Sequence, residues 1–217
     1  MIDLHTHSLF SDGELVPSEL LRRMYVLGYD VVAITDHSDS SNLDFIVPRI
    51  VKVAQEINGT QPVRLIPGIE LTHVPPSLIK PMVRKARELG AAIVVVHGET
   101  VVEPVAAGTN REAIEAGADI LAHPGLISRE DALLAAEQGV YLEISGRRGH
   151  AFANGHVARV AEEVGAKLIL NSDAHSPRDL LSRSLAQAIA SGSGLGETAL
   201  EKLLANSRQL LKGVDES

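Results

Sequence analysis

Residues 89–97, "LGAAIVVVH", hold the unit from which the fold is read. Gly90 suits the left-handed turn that closes a helix. The run that follows, from Ala91 to Val96, shows no polar alternation, the mark of a strand covered on both faces of a parallel sheet. His97 ends the run. The same unit recurs along the chain. Strand-like runs lie at Ile2–His5, Asp30–His37, Val63–Glu70, Ala118–His123, Val140–Ser145 and Ala166–Asp173. Gly28, Gly117, Gly139 and Gly165 stand before strands as Gly90 does.

Helical spacing fills the intervals. Leu20, Leu21, Met24 and Leu27 form one face behind Pro17, a favourable first-turn residue. Ser128 with Asp131 three residues on reads as a box-like N-terminal cap. Val157, Val160, Ala161 and Val164 repeat on one face. Strand starts fall about 20–35 residues apart, the size of one βα unit. The count is seven strands, followed by helices over Arg178–Ala190 and Thr198–Leu211. An open Rossmann-type sheet is the alternative. It calls for a glycine-rich phosphate loop after the first strand, and "HTHSLFSDG" is not one.

The 217 residues suit one domain, with a core over residues 1–190 and a helical extension over 191–217 that opens with "SGSGLGE". Hydrophobic residues make up 45% and aromatics only 3%, so the core is aliphatic and base-stacking platforms are scarce. The absence of cysteine excludes disulfides, thiolate ligands and cysteine nucleophiles. A formal net charge of -8 weighs against a general electrostatic grip on nucleic acid. The N-terminus lacks the pattern of a signal peptide and no run reaches membrane-span length; the expectation is a cytoplasmic protein without membrane partners.

Chemistry stands at the strand ends. They carry His5 with His7, Asp36-His37, Glu70, His97, His123, Glu143, and Asp173 with His175. In a closed parallel barrel these ends share one rim. Turn or cap residues are the bland explanation, but N-caps favour Ser, Thr, Asp and Asn over His. Buried together without cations, these groups would demand costly partners. Nine candidates, His5, His7, Asp12, His37, Glu70, His97, His123, Asp173 and His175, exceed what one ion needs. The expectation is two or three divalent metal ions, Zn, Mn or Fe, with Glu70 bridging.

In order, "HTHSLFSDG" (5–13), "ITDH" (34–37), "GIE" (68–70), "VHG" (96–98), "AHPG" (122–125) and "NSDAH" (171–175) resemble the PHP (polymerase and histidinol phosphatase) family. The resemblance implies a distorted seven-stranded (β/α) barrel, TIM-like, with a trinuclear metal centre. It places His5, His7, Glu70 and Asp173 on a first metal and Glu70, His97 and His123 on a second. Asp12, His37 and His175 fall on a third, though some members carry His where this chain has Asp12.

The activity it implies is phosphoester hydrolysis by activated water, without a covalent phospho-enzyme. Glu70 and His97 are the central catalytic candidates, and Arg147 and Arg148 the candidates for holding phosphate. Arg178 is a weaker one. Glu143, Asp36 and Glu99 read as supporting groups on the rim. His73, His150 and His156 belong to no motif and read as surface or supporting residues. A small phosphorylated substrate is expected, with a histidinol-phosphatase-like reaction as the family candidate. A nuclease or cyclic phosphodiesterase and an amidohydrolase remain as alternatives, with a non-catalytic RNA-binding barrel behind them.

Overall fold

The computed structural model describes residues 1–216. Seven parallel strands run in the order β1 (Ile2–Asp3), β2 (Val31–Ile34), β4 (Arg64–Leu71), β5 (Ile93–His97), β6 (Ile120–Ala122), β7 (Tyr141–Ser145) and β8 (Leu168–Asn171). A short β3 (His37–Ser38) also pairs with β4. It continues the course of β2, so the run expected over Asp30–His37 is one strand interrupted at Thr35-Asp36. The interruption has a cause: Thr35 N donates to Thr6 O (2.8 Å), drawing the chain toward the first strand before it returns to β4.

β8 returns to β1 to bring the barrel nearly to closure. Leu4 N donates to Asn171 Oδ1 (2.9 Å), Asp173 N to His5 O (3.0 Å) and His7 N to Ala174 O (2.9 Å). Side chain and loop backbone replace a regular ladder at this seam. The seven-stranded α/β barrel is therefore as expected, and the open Rossmann-type sheet is not what forms.

The strands are buried because both faces are covered. Ile93, Val94, Val95 and Val96 are all buried, in register with Gly68–Leu71 on one side and Ile120–Leu121 on the other. Helices supply the outer layer through narrow aliphatic stripes. Between β1 and β2, α1 (Pro17–Val26) buries Leu20, Leu21 and Met24. Its expected fourth apolar residue, Leu27, is instead the exposed residue just past the helix. Two longer helices, α2 (Leu43–Ile57) and α3 (Pro76–Glu88), flank β4 and bury Ile46, Val47, Ile50, Ile79 and Val83. Next come α4 (Thr109–Glu115), α5 (Arg129–Gln138) and α6 (Asn154–Val164). Ser128 caps α5 by accepting from Asp131 N (3.0 Å).

The helix expected from Arg178 starts later, as α7 (Arg183–Gly192). Asp179 folds residues 176–179 into a turn, accepting from Ser176 N (2.8 Å) and Ser176 Oγ (2.9 Å), and Ser182 caps the helix through Leu185 N. The last helix, α8 (Ala199–Glu216), lies against β8 and β1, with Leu200, Leu203 and Leu204 in the same core as the strands.

Two glycines at strand ends are required by close approach. A Cβ on Gly98 would collide with the Ala122 carbonyl oxygen and stand 2.8 Å from Pro124 Cα. Gly125 has φ +60° and its Cβ would strike the Glu99 carbonyl. Both hold neighbouring βα loops together at the rim. Gly98→Ala should cost about 1–3 kcal/mol, the usual penalty of overpacking. Gly155→Ala, in the first turn of α6 with nothing within 4 Å, should gain about 0.4–1 kcal/mol from reduced unfolded-state freedom. Urea midpoints of the two variants, shifted in opposite directions, check the pair.

Candidate metal centre

The C-terminal ends of the strands deliver their polar side chains to one cleft of about 160 Å³. Its lining includes Asp12, His37, His97, Arg147, His150, Asp173 and His175. His5, His7, Glu70, His123 and Glu143 lie beneath it, all buried.

The segment just past β1 places His5 and His7 side by side, their rings 5.1 Å apart. Glu70 from β4 and Asp173 from the end of β8 face them. His5 Nε2 lies 3.4 Å from Glu70 Oε2 and 3.8 Å from Asp173 Oδ1; His7 Nε2 lies 3.6 and 3.2 Å from the same atoms. Toward solvent, Asp12, His37 and His175 cluster with His7: His175 Nε2 is 3.2 Å from Asp12 Oδ1 and His37 Nε2 is 3.6 Å from it. On the other flank His97 and His123 pack edge to face at 4.5 Å, and His150 stacks on His123 at 4.0 Å. Candidate ligand atoms lie within 4.8 Å of one another in each of these sets: His5, His7, Glu70; His5, His123, Asp173; His7, Asp12, His37, His175; and His97, His123, His150.

Two of the residues that aim these groups sit in left-handed backbone: His123 (φ 29°) and Asp173 (φ 53°). Such a conformation costs about 1–3 kcal/mol outside glycine and persists only where the surroundings impose it. Here the two side chains face each other, His123 Nε2 lying 3.6 Å from Asp173 Oδ2.

Two imidazoles are anchored through one nitrogen and leave the other to the centre: His5 Nδ1 is fixed by Glu143 Oε2 (2.8 Å) and His97 Nδ1 by the Gly98 carbonyl (3.2 Å). His37 Nδ1 lies between Thr72 Oγ1 (2.7 Å) and the inner Glu70 Oε2 (2.6 Å), and His175 Nδ1 accepts from Arg147 (2.7 Å). An outer anchor on one ring nitrogen with the other left to the centre is the habit of metal-ligating histidine. Several buried polar atoms around the centre are left unmatched. His5 Nε2, both ring nitrogens of His7, His123 Nδ1, Glu70 Oε1 and Asp173 Oδ1 are buried and make no hydrogen bond. Their near approaches lack hydrogen-bond geometry. A donor set of imidazole and carboxylate with inward lone pairs fits divalent cations.

Burial disfavours charge throughout, and neighbours decide the balance. Burial, then the charge of His37, holds His7 well below the ordinary imidazole range; burial, then His97, does the same for His123. Against burial, Glu143, Glu70 and Asp173 raise His5 well above that range. Glu70, also against burial, is held well below the usual carboxylate range by His5 and His37. Asp173 is pushed well up by burial, with Glu70 and Glu143 adding to it.

The supporting residues divide. Glu143 also accepts from Asn171 Nδ2 (2.9 Å), so it joins His5 to the β8–β1 seam. Asp36 is buried and accepts from Ser8 N, Ser8 Oγ and Ser11 Oγ (each 2.7 Å), holding the loop that carries His7 and Asp12. Glu99 is not turned to the cleft: its Oε1 caps α4, accepting from Gly108 N (3.0 Å) and Asn110 N (2.9 Å). Arg147 lines the cleft, 2.7 Å from His175 Nδ1, while Arg148 is exposed and Arg178 lies in the turn before α7.

His150 is buried in the cleft rather than on the surface. His156 bonds the Ile127 carbonyl away from it. Glu103, six residues past β5, went unread in the sequence. It stands at the cleft mouth, 3.1 Å from His73 Nε2 and 3.2 Å from His97 Nε2, and its pKa is lowered to about 2, first by the His97 hydrogen bond. No motif marked it.

The profile of the PHP domain matches residues 3–163 of this chain. The chain belongs to the PHP domain family. A relative in Methanocaldococcus jannaschii, an uncharacterized protein, is 46% identical over 215 residues, covering 98% of this chain and 99% of its own. The DNA polymerase/3'-5' exonuclease PolX of Bacillus subtilis is 28% identical over 80% of this chain but only 34% of its own length. Among solved structures, the histidinol phosphate phosphatase of Lactococcus lactis, complexed with zinc, L-histidinol and phosphate, matches with a TM-score of 0.62 at 18% identity. That match covers 90% of this chain and 94% of the other. At that identity the likeness is one of fold: a PHP barrel of nearly the same extent.

For this PHP chain, Asp36→Ala should lower the unfolding free energy by about 1.5–3 kcal/mol, the worth of hydrogen bonds to a charged group. A urea titration checks it, and an unchanged midpoint would show that other contacts order the Ser8–Ser11 loop.

Proposed function

We propose that the chain is a metal-dependent phosphoesterase that hydrolyses a small phosphate monoester. The observation that carries this reading is the set of buried, unmatched imidazole nitrogens of His5, His7 and His123 and carboxylate oxygens of Glu70 and Asp173 beneath the cleft. Two or three divalent ions, zinc, manganese or iron, would answer them. His5, His7, Glu70 and Asp173 would hold the first, His97 and His123 with Glu70 the second, and Asp12, His37 and His175 the third. When bound, such ions supply Lewis acidity, activating water near neutral pH and neutralising phosphoryl charge.

The protein's own groups do the rest. Glu143 fixes the His5 ring, so its Nε2 stays aimed. Burial keeps His7 and His123 neutral, the form in which an imidazole ligates. The strained Asp173 turn leaves its carboxylate facing His5, His7 and His123. Arg147 offers a planar donor fork at the cleft wall, suited to phosphate oxygens. Its present contact with His175 Nδ1 would yield when that nitrogen donates to the Asp173 carbonyl. Thr72 lines the cleft, but its hydroxyl is engaged with His37. Hydrolysis by water, with the P–O ester bond broken and the alcohol leaving, therefore needs no covalent intermediate.

The structural neighbour that holds zinc, L-histidinol and phosphate supports phosphate chemistry on this barrel. The likeness to PolX supports a second reading, cleavage of nucleic acid. The 160 Å³ cleft and the net charge of -8 favour the small ester.

The purified protein should carry two or three divalent ions per chain by elemental analysis. It should turn over phosphomonoesters, histidinol phosphate among the panel, in preference to cyclic phosphates or short oligonucleotides, and lose that activity on chelation. Preference for an oligonucleotide would replace this reading with the second. His97→Ala should abolish turnover with a near-normal urea midpoint. Arg147→Ala should raise KM about tenfold or more, since a hydrogen bond to a charged group is worth about 1.5–3 kcal/mol.

A further inference from the structure

His150 and Glu103 belong to none of the motifs, yet both stand among the inward imidazoles. We propose that His150 and Glu103 are themselves metal ligands, giving the ion beside His97 and His123 a third imidazole and an outer carboxylate. The inference rests on the cleft being a metal centre.

Three observations carry it. Position is the first. Candidate ligand atoms of His97, His123 and His150 lie within 4.8 Å of one another, with His150 stacked on His123 at 13° and edge-on to His97 at 86°. Orientation is the second. Thr100 Oγ1 lies 2.7 Å from His150 Nδ1, the same anchoring through Nδ1 seen at His5 and His97. His150 Nε2 faces the cleft, with Glu103 Oε1 at 3.5 Å and Asp173 Oδ2 at 3.9 Å. A histidine buried only for packing has no need to aim its free nitrogen where two other imidazoles aim theirs.

Glu103 supplies the third. One carboxylate is ringed by the Nε2 atoms of His73 (3.1 Å), His97 (3.2 Å) and His150 (3.5 Å). It shares His97 with the His97–His123–His150 set: ligand atoms of His73, His97 and Glu103 also lie within 4.8 Å of one another. Its loop is fixed from behind: Glu99 caps α4, and Asn110 accepts from Glu99 N (2.9 Å) and donates to the Pro124 carbonyl (2.9 Å). The set that results is richer in imidazole than the one around Glu70 and Asp173. Imidazole suits zinc and iron better than manganese, so this position should discriminate against manganese most strongly.

Metal stoichiometry and affinity test the proposal without reference to activity. Zinc-loaded wild type, His150→Ala, Glu103→Gln, Thr100→Val and the remote His156→Ala are equilibrated with a competing chelator, and bound zinc is counted per chain. His150→Ala should hold one ion fewer, or hold one ion at least tenfold more weakly. Glu103→Gln should weaken the same ion. Thr100→Val, which removes only the anchor, should weaken it about tenfold, the lower range for outer-shell partners. His156→Ala should match wild type.

Should His150→Ala fail to fold, ¹⁵N imidazole spectra of the intact wild type titrated with zinc decide. His150 Nε2 must shift to the metal-bound position while Nδ1 stays protonated. Unchanged zinc affinity in His150→Ala, or a His150 resonance blind to zinc, would overturn the inference alone. Wild type that takes up no zinc, manganese or iron would take down the metal centre with it.

Discussion

The barrel folds around a debt of desolvation. Its aliphatic strands carry imidazoles and carboxylates to one buried point, where several kcal/mol are lost for each ion left unmatched. Among themselves these groups settle the debt only in part. Glu70 and His37 pair, His5 and Glu143 pair, yet His7, His123 and one oxygen each of Glu70 and Asp173 find no hydrogen bond. That remainder of unmatched buried atoms separates a ligand cage from an ordinary buried polar network, whose members satisfy one another.

The cage determines features of the fold that look like imperfections. The β8–β1 seam is closed by Asn171 and by loop backbone rather than by a long ladder: Asn171 Oδ1 accepts from Leu4 N while its Nδ2 donates to Glu143. One side chain thus ties barrel closure to the aim of His5. The break between β2 and β3 has the same character. It frees Asp36 to gather Ser8 and Ser11, fixing the loop that carries Asp12 toward His37 and His175. Left-handed backbone at His123 and Asp173 is a third instance of local cost accepted to point a ligand inward.

What the sequence made legible follows the same physics. His97, Glu70, His123 and Asp173 each terminate an apolar run, and strand direction alone sends them to one rim. Glycine punctuation marked the βα units because a left-handed residue after a helix is a local requirement. Gly90, Gly139 and Gly165 indeed have φ of 101°, 74° and 76°. Loop residues were not legible in this way. Glu103 lies beyond any strand, and its place depends on Glu99 and Asn110 fixing the loop through contacts eleven residues apart. His150 sits in a single 3₁₀ turn (His150–Ala153) and is set by Thr100, fifty residues earlier. Arg178 looked like the start of a helix because the Asp179 turn imitates one in sequence. Arg147 and Arg148 are neighbours in the chain, but only the first reaches the cleft.

Charge completes the argument. The chain is acidic, and the cleft holds Asp12, Glu103 and Asp173 with Glu70 beneath it, a field that would repel a phosphate dianion. Arg147 is the one arginine or lysine lining the cleft among the described residues, too little to reverse that field. Divalent cations would reverse it. Anion binding and cation binding at this point are then halves of one equilibrium: whatever strengthens one strengthens the other by the same factor. On the proposed function, a phosphorylated ligand would stabilise the loaded centre, and the loaded centre would let an acidic barrel receive phosphate.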